Sequence, residues 1–313
     1  MRKFIHHILL AGMVATVLTM VVACGGDDDG PNLLSPGQEN EQKTTPTLEP
    51  DEKAIAARLE VPALKKGNKF IFHSTRVGNR DVMTYCLEFD ASKMHSRWVA
   101  FRFDGDTRGR STSRADEPFT DDPELPASMW IGSNTFQGRY DRGHLVASAD
   151  RLYSREANEQ TFYMSNMSPQ ASAFNQGYWI TLENMVQSCG RNASFADTLY
   201  VVKGGFIDNT NDLIGWSQRN NGTRVAIPRH YFMALLRVKS GAYTSIAFWM
   251  ENNATRDGIT YSNQEQAPRS VIAKETISVD SLEELTGIDF FHNLPDNIEN
   301  QVEATFNFND WNK

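Results

Sequence analysis

A four-residue segment, Asp141-Arg142-Gly143-His144, combines residue types that could break phosphodiester bonds. Near neutral pH an imidazole can accept a proton from water, so His144 is a candidate general base. Arg142 can hold a phosphate oxygen or the charge that develops in a transition state. Gly143 permits backbone geometry that other residues resist. Asp141 could orient a neighbouring group or pair with an arginine, and a lone histidine is more often structural.

A second set of candidate residues follows on one predicted helix. Apolar residues recur at helical spacing between Phe174 and Gln187, which predicts an amphipathic helix. At 100° per residue, Glu183 lies about 80° around this helix from Asn175, with Trp179 between them. Asn175 offers a neutral oxygen ligand of the kind that magnesium accepts, and Glu183 could hold a water on the same ion. The alternative is a helix cap at Asn175 and a solvated surface at Glu183.

Short runs of β-branched and aromatic residues predict the strands that must position these groups. They do not alternate regularly with helices, which favours an α+β fold with a mainly antiparallel sheet. Residues 105–140 are predicted to form a long loop. Asp280 or Ser281, with Glu284, predicts a capped helix that ends at Gly287. The predicted strands are Lys69–His73, Val82–Asp90, Arg97–Asp104, Thr198–Lys203, His230–Lys239 and Tyr243–Glu251.

The N-terminal residues have the composition of an export signal and a tether. Residues 1–23 combine a basic and an apolar segment. Cys24 follows directly, in a context that resembles a bacterial lipobox. We therefore expect a signal peptide, a lipidated Cys24, a disordered acidic linker over 24–61 and a folded domain over 62–313. Asp27–Asp29 resembles signals of Bacteroidetes surface lipoproteins. The expected location is the outer membrane or cell surface; periplasmic or secreted protein and a retained membrane anchor are the alternatives.

Charge and cysteine content bound the choice of partners and of crosslinks. The chain has a formal charge of −8, and much of it falls in the predicted linker. An acidic domain argues mildly against tight nonspecific binding of nucleic acid. Positions 95–155 nevertheless contain nine arginines and no lysine, and arginine suits bidentate phosphate contacts; nine acids in the same segment allow a salt-bridged surface instead. Cys86 and Cys189 could form one disulfide in an exported protein.

Three linked blocks of sequence resemble one known family. They are Asp141–Leu145, then Phe162–Gln170, then Asn175-Gln176 followed by Trp179–Glu183. In order and spacing these blocks resemble the DNA/RNA non-specific endonuclease family. Weaker similarity extends the resemblance over roughly residues 70–292. A four-residue motif alone would be weak support, whereas three blocks in the right order are specific.

The resemblance implies a role for each matching residue. His144 corresponds to the general base that activates the attacking water. Asn175 corresponds to the direct protein ligand of a divalent ion, and Glu183 to the carboxylate that orients a water on that ion. Asn166 corresponds to an amide that supports the site, and Arg142 to the arginine near the scissile phosphate.

A further arginine stabilises the transition state in that family. Its best match here is Arg114, which precedes Phe119, and Arg110 is the alternative. The implied fold is the ββα-metal (His-Me finger) nuclease fold, within a larger antiparallel sheet flanked by helices. The implied activity is Mg²⁺-dependent hydrolysis of DNA and RNA, with Mn²⁺ as a substitute and products that carry a 5′-phosphate. No obligatory protein partner is indicated, and a homodimer is compatible with the sequence.

Two other functions remain open at this stage. One is a phosphodiesterase restricted to short oligonucleotides or nucleotides, which an acidic domain with a confined arginine cluster would suit. The other is a surface lipoprotein that binds nucleic acid without cutting it. The presence of every catalytic residue type argues against the binder.

Overall fold

The computed structural model describes residues 47–136, 140–218, 222–262 and 266–311, which belong to one compact unit. The predicted signal peptide, Cys24 and residues 24–46 lie outside the described residues. The α-helices are α1 (Pro50–Ala56), α2 (Arg155–Gln160), α3 (Ile180–Arg191), α4 (Arg269–Ile272), α5 (Val279–Thr286) and α6 (Asp296–Val302). No helix of the described residues combines the length and apolar character needed to cross a bilayer.

The strands form one large sheet and three short two-stranded ones. They are β1 (Lys69–Val77), β2 (Arg80–Asp90), β3 (His95–Phe103), β4 (Tyr140–His144), β5 (Met167–Ala171), β6 (Thr198–Gly205), β7 (Leu213–Gln218), β8 (Arg224–Pro228), β9 (His230–Lys239), β10 (Ala242–Glu251), β11 (Thr255–Arg256), β12 (Ile259–Thr260) and β13 (Thr276–Ile277). The large sheet has the order β1-β2-β3-β6-β9-β10-β13, and its neighbouring strands are antiparallel. The α+β prediction is confirmed.

The large sheet separates two hydrophobic cores because successive strand residues point to opposite faces. On β3, Phe101 belongs to the core that includes Leu182 of α3. Its neighbour Ala100 belongs to the core that includes Leu282 of α5 and Val302. The candidate catalytic helix and the C-terminal helices therefore cover opposite faces of the sheet.

The six predicted strands are confirmed, most of them one to four residues longer than predicted. The predicted helix near residue 280 is also present and ends at Gly287, which has the left-handed φ of 63°. Its N-cap is wrong in the prediction: Ser278 caps the helix by accepting a hydrogen bond from the Ser281 N–H. Ser278 precedes the acidic first turn, so its hydroxyl reaches the free helical N–H groups.

The linker prediction is wrong for residues 47–61. Pro50 begins α1, and the Glu52 side chain accepts a hydrogen bond of 2.9 Å from the Glu49 N–H. Val61 is fully buried in the core beneath α5, and Ile55 packs against that core. A few apolar residues therefore suffice to order this segment, because they bury against a preformed sheet face instead of against one another.

The predicted disulfide between Cys86 and Cys189 is also wrong. Both residues are buried, and they are not bonded to each other. Cys86 lies in the core beneath α5, whereas Cys189 lies in the core beneath α3, so the large sheet separates them. Burial raises the pKa of the Cys86 thiol well above its ordinary value.

Candidate active site

A small β-hairpin and the helical segment that follows it position the candidate residues. Strand β4 pairs antiparallel with β5, with His144 opposite Met167 and Gly143 opposite Ser168. A Cβ atom at position 143 would collide with the Gln170 side chain, so only glycine fits. The requirement at Gly143 is therefore space for a neighbouring side chain, and its φ is not among the positive ones.

The helix that carries Asn175 begins differently from the prediction. Phe174–Trp179 form a π-helical segment, and the α-helix proper starts at Ile180. A π-helix has i→i+5 hydrogen bonds and a wider turn, so the assumed 100° per residue does not hold before residue 180. Gly177 allows this turn to approach the backbone of Tyr261 closely. Segments of this kind are frequent at functional sites.

His144 lies between two aromatic rings at the end of β4. Its ring centroid is 5.7 Å from that of Phe119 and 5.4 Å from that of Phe162. The Trp179 indole N–H donates to the His144 carbonyl oxygen at 3.2 Å, which ties the strand end to the helix. His144 Nε2 is buried and has no hydrogen-bond partner among the described residues. Burial first, and then the charge of Arg114, lowers the pKa of His144 to about 3.

Two arginines frame this histidine by resting on the same aromatic rings. The guanidinium carbon of Arg114 lies 4.9 Å from the centroid of Phe162, and that of Arg142 lies 4.2 Å from the centroid of Phe119. Arg142 also donates to the Ser133 carbonyl oxygen at 2.8 Å. Both arginines are exposed, so a ligand that arrives from solution can contact their charged groups.

Asn175 is held by Asp141, the first residue of the Asp-Arg-Gly-His segment. Asn175 Nδ2 donates to Asp141 Oδ2 at 2.9 Å, and Gln176 Nε2 donates to the same oxygen at 2.8 Å. The Ser172 hydroxyl donates to Asp141 Oδ1 at 2.7 Å. Burial alone would raise the pKa of Asp141, but the hydrogen bonds from Asn175, Gln176 and Ser172 lower it below the ordinary value. Of the two roles considered for Asp141, it has the orienting one.

Glu183 is buried in α3 near a second pair of charges. Lys203 on β6 and Asp150 form an ion pair of 2.8 Å in which both side chains are fully buried. Burial raises the pKa of Glu183 to about 8, with the Lys203 ammonium opposing that rise and Asp150 adding to it. Glu183 is thus not the solvated surface residue that spacing alone allowed.

Asn166 supports the site from behind. Its Oδ1 accepts from the Val146 N–H at 2.8 Å, and its Nδ2 donates to the carbonyl oxygens of Val146 and Thr161. The Leu145 N–H donates to the Asn166 carbonyl oxygen at 3.0 Å. The Asn166 side chain is fully buried in these bonds, so it positions the chain after His144 and is not part of the cavity wall.

One cavity of about 310 Å³ brings the predicted residues together. It adjoins a cavity of about 430 Å³ that shares Phe119, Arg142 and Asn175. Arg114 lines the first cavity, whereas Arg110 does not. The predicted residues on its wall are Arg114, Arg142, His144, Asn175 and Glu183.

Sequence reasoning missed the groups that hold these residues in place. The two rings that flank His144 are Phe119, in a loop, and Phe162, just after α2. No recurring sequence pattern marks either position. The ion pair of Lys203 and Asp150 did leave a signal, because Lys203 is a charged residue within an otherwise apolar strand.

Comparisons with known proteins agree with this geometry. The family model for DNA/RNA non-specific endonucleases matches residues 66–297. A nuclease of Nostoc is 31% identical over 227 residues, covering 70% of this chain and 75% of that protein. Human mitochondrial endonuclease G is 26% identical over 216 residues, covering 67% of this chain and 68% of that protein.

A solved structure of endonuclease G in complex with its inhibitor EndoGI has a similar fold. It matches with a TM-score of 0.54 and 20% sequence identity, covering 73% of this chain and 89% of that one. The hairpin of β4 and β5 followed by the helix of Asn175 is the ββα unit that the resemblance implied. This chain belongs to the DNA/RNA non-specific endonuclease family.

Proposed function

We propose that this protein is a divalent-metal-dependent endonuclease that hydrolyses DNA and RNA without sequence preference. The observation that supports this most directly is the shared cavity. This cavity has a volume of about 310 Å³. Its wall includes the imidazole of His144, the exposed guanidiniums of Arg114 and Arg142, the amide of Asn175 and the buried carboxyl group of Glu183. Contacts from these groups to the phosphates of a nucleic acid would hold it without reading its bases.

The residues present fit a hard divalent ion. Asn175 donates its Nδ2 hydrogens toward Asp141, so its Oδ1 is not used by that bond and can serve as a ligand. Glu183 supplies a carboxyl group on the same cavity wall, which would hold a water on that ion. Magnesium accepts one or two such oxygens and keeps several waters, and when bound it would polarise the phosphate and neutralise charge on the leaving oxygen. We propose Mg²⁺, with Mn²⁺ as a substitute.

His144 acts in this proposal as the general base. Because burial and Arg114 lower its pKa to about 3, the imidazole is neutral at physiological pH and can take a proton from water. An entering phosphate brings negative charge next to the two arginines. That charge offsets their effect on His144 and makes the imidazole a stronger base when substrate is present.

Arg114 and Arg142 hold the phosphate in this proposal. Their guanidiniums rest on the rings that flank His144, so the phosphate they bind lies beside the base. They also stabilise the charge of the pentacovalent transition state. Glu183 would orient a water on the ion. In-line attack by the water that His144 deprotonates breaks the bond from phosphorus to the 3′ oxygen. The products then carry a 5′-phosphate and a 3′-hydroxyl.

Digestion of plasmid DNA and of structured RNA tests the proposal. Each substrate is incubated with the protein in magnesium, in EDTA, and with the His144→Ala variant. We expect both substrates to be cut only with metal and only when His144 is present. A folded, metal-loaded protein that leaves both intact but hydrolyses a dinucleotide would favour the narrower phosphodiesterase. If His144→Ala still cuts both the DNA and the RNA, His144 is not the general base.

We propose further that Cys24 is lipidated and anchors the protein in the outer membrane. The support is the sequence alone, namely the apolar segment that ends at Cys24. Labelling of cells with a radioactive fatty acid should mark the wild-type protein and not Cys24→Ser. Equal labelling of both, or none of either, would contradict the anchor and leave the nuclease proposal untouched.

A further inference from the structure

Three carboxylates meet on the face of the sheet opposite to the candidate active site. Asp280 and Glu283 are three positions apart on α5, so their side chains share one helix face. Glu303 follows the last residue of α6, and the Asp280 N–H donates to its carbonyl oxygen at 3.2 Å. One oxygen from each of the three side chains lies within 4.8 Å of the other two.

The buried member of this cluster has an unpaired side-chain oxygen. Glu303 is only 3% exposed, and its Oε1 is buried with no hydrogen-bond partner in the part of the chain that the structure describes. The charged neighbours that act on it are Glu283, Glu299, Asp280 and Asp289, all of them acids. A buried carboxylate is normally paired with a cation or coordinates a metal, because leaving it unpaired costs free energy. The other two carboxylates bring further negative charge and no compensation.

The pKa values agree with this unmet need for positive charge. Burial first, and then the neighbouring acids, raises the pKa of Glu303 to about 9. Burial also raises the pKa of Glu283 to about 7, although the Phe290 N–H donates to its Oε1 at 2.7 Å. Either a proton or a cation can relieve such a cluster, and these two possibilities lead to different measurements.

We propose that Asp280, Glu283 and Glu303 bind a calcium ion at a site distinct from the catalytic cavity. All the donors are carboxylate oxygens, which hard cations prefer and softer metals do not. Asp280 and Glu283 lie on α5 and Glu303 follows α6, so the oxygens come from two separate parts of the chain. Calcium accepts six to eight oxygens in irregular geometry, whereas magnesium requires a near-ideal octahedron.

The ion would hold the two C-terminal helices together on the sheet. Both α5 and α6 contact β10, and Leu282 and Val302 lie in the core beneath them. A cation bound to both Glu283 and Glu303 displaces their protons and attracts the two carboxylates, which links the helices. Its effect is therefore on the stability of this layer, and no catalytic residue is involved.

Calcium binding is measured on the Asn175→Ala variant, which removes the candidate catalytic ligand. Titration calorimetry should show one calcium site in this variant. About 10 mM calcium should raise its Tm by about 3 to 10 °C relative to EDTA, as expected for a dissociation constant of about 0.1 to 1 mM. The same concentration of magnesium should raise Tm by less.

Glu303→Gln and Glu284→Gln in the same background distinguish the site from general charge effects. Glu284 is an exposed acid of α5 outside the cluster. We expect Glu303→Gln to abolish the calcium shift, because it replaces one of the three carboxylate ligands. Glu283→Gln should also abolish it, and Glu284→Gln should keep it.

Two results would overturn the site. One is the absence of a calcium heat and a calcium shift in Asn175→Ala, which would mean that the cluster holds a proton instead. The other is an equal calcium shift in Glu303→Gln and Glu284→Gln. Neither readout uses nuclease activity, so each result leaves the proposed function unaffected.

Discussion

At the scale of single residues, Asp141 engages the amide nitrogen of Asn175 and leaves the amide oxygen available to a cation. A free asparagine amide can turn either its nitrogen or its oxygen toward a ligand, and only the oxygen binds a cation. The 2.9 Å bond from Nδ2 to Asp141 selects the oxygen. Groups that orient a ligand in this way typically contribute 10- to 100-fold to metal affinity or activity.

We therefore expect Asp141→Ala to lower activity by about 10- to 100-fold and to raise the magnesium concentration needed for half-maximal rate. Ser172→Ala is the matched control, because Ser172 bonds the other oxygen of the same carboxylate. It should change the rate by less than about threefold. Magnesium titrations of the initial rate measure both. Equal effects of the two substitutions would contradict the orienting role of Asp141.

The charge of Arg114 is the other feature at the scale of single residues, because it acts on His144, the proposed base. Arg114 helps to lower the pKa of His144, and a base is competent only above its pKa. Removing the charge in Arg114→Gln should therefore raise the pKa of His144 and move the acid limb of kcat/KM to higher pH. Arg110→Gln, in the same loop but outside the cavity, should leave the limb in place. A limb that moves to lower pH in Arg114→Gln would refute this electrostatic link.

At the scale of secondary structure, a buried ion pair connects the large sheet to the candidate active site. Lys203 extends from β6 to Asp150, which also accepts the Ala147 N–H at 3.0 Å. The turn after His144 and the helix of Glu183 thus both lie next to this ion pair. Breaking a buried pair leaves one charge uncompensated, which costs far more than breaking an exposed pair.

Lys203→Met should lower the free energy of unfolding by about 3 to 5 kcal/mol, measured by urea denaturation. The control is Lys239→Met, because Lys239 pairs with Asp197 at the same distance of 2.8 Å but is exposed. It should cost less than about 1 kcal/mol. The double variant Asp150→Asn/Lys203→Met should be more stable than the sum of the single losses predicts. A fully additive double variant would show that the two side chains do not depend on each other.

At the scale of the whole molecule, the sequence predicted what local pattern encodes. Short runs of β-branched and aromatic residues indicated the six strands, and three linked blocks indicated the ββα unit. It did not predict the π-helical turn at Asn175, because that turn depends on contact with Tyr261, which is distant in sequence. The disulfide of Cys86 and Cys189 failed for the same kind of reason: composition allows a pairing that the intervening sheet prevents. The order of residues 47–61 likewise depends on a sheet face formed elsewhere.

The modest number of positive charges at the site predicts a weak dependence on salt. Among the described residues that line the two adjoining cavities, the cationic side chains are Arg114 and Arg142. Each phosphate contact contributes a slope of about −0.9 to the dependence of log affinity on log salt. Raising salt from about 50 to 200 mM should therefore raise KM for duplex DNA roughly tenfold, far from the thousandfold or greater loss of a protein with six to ten contacts.

Steady-state kinetics at several salt concentrations measure that slope directly, and Arg142→Ala should reduce it by about one. A slope close to that of a broad basic groove would mean that arginines outside the cavities also bind the duplex. In that case the acidic charge of the whole chain would be a poor guide to its binding surface. With a shallow slope, the charges that bind the substrate are the same two that frame His144, so affinity and catalysis depend on the same side chains.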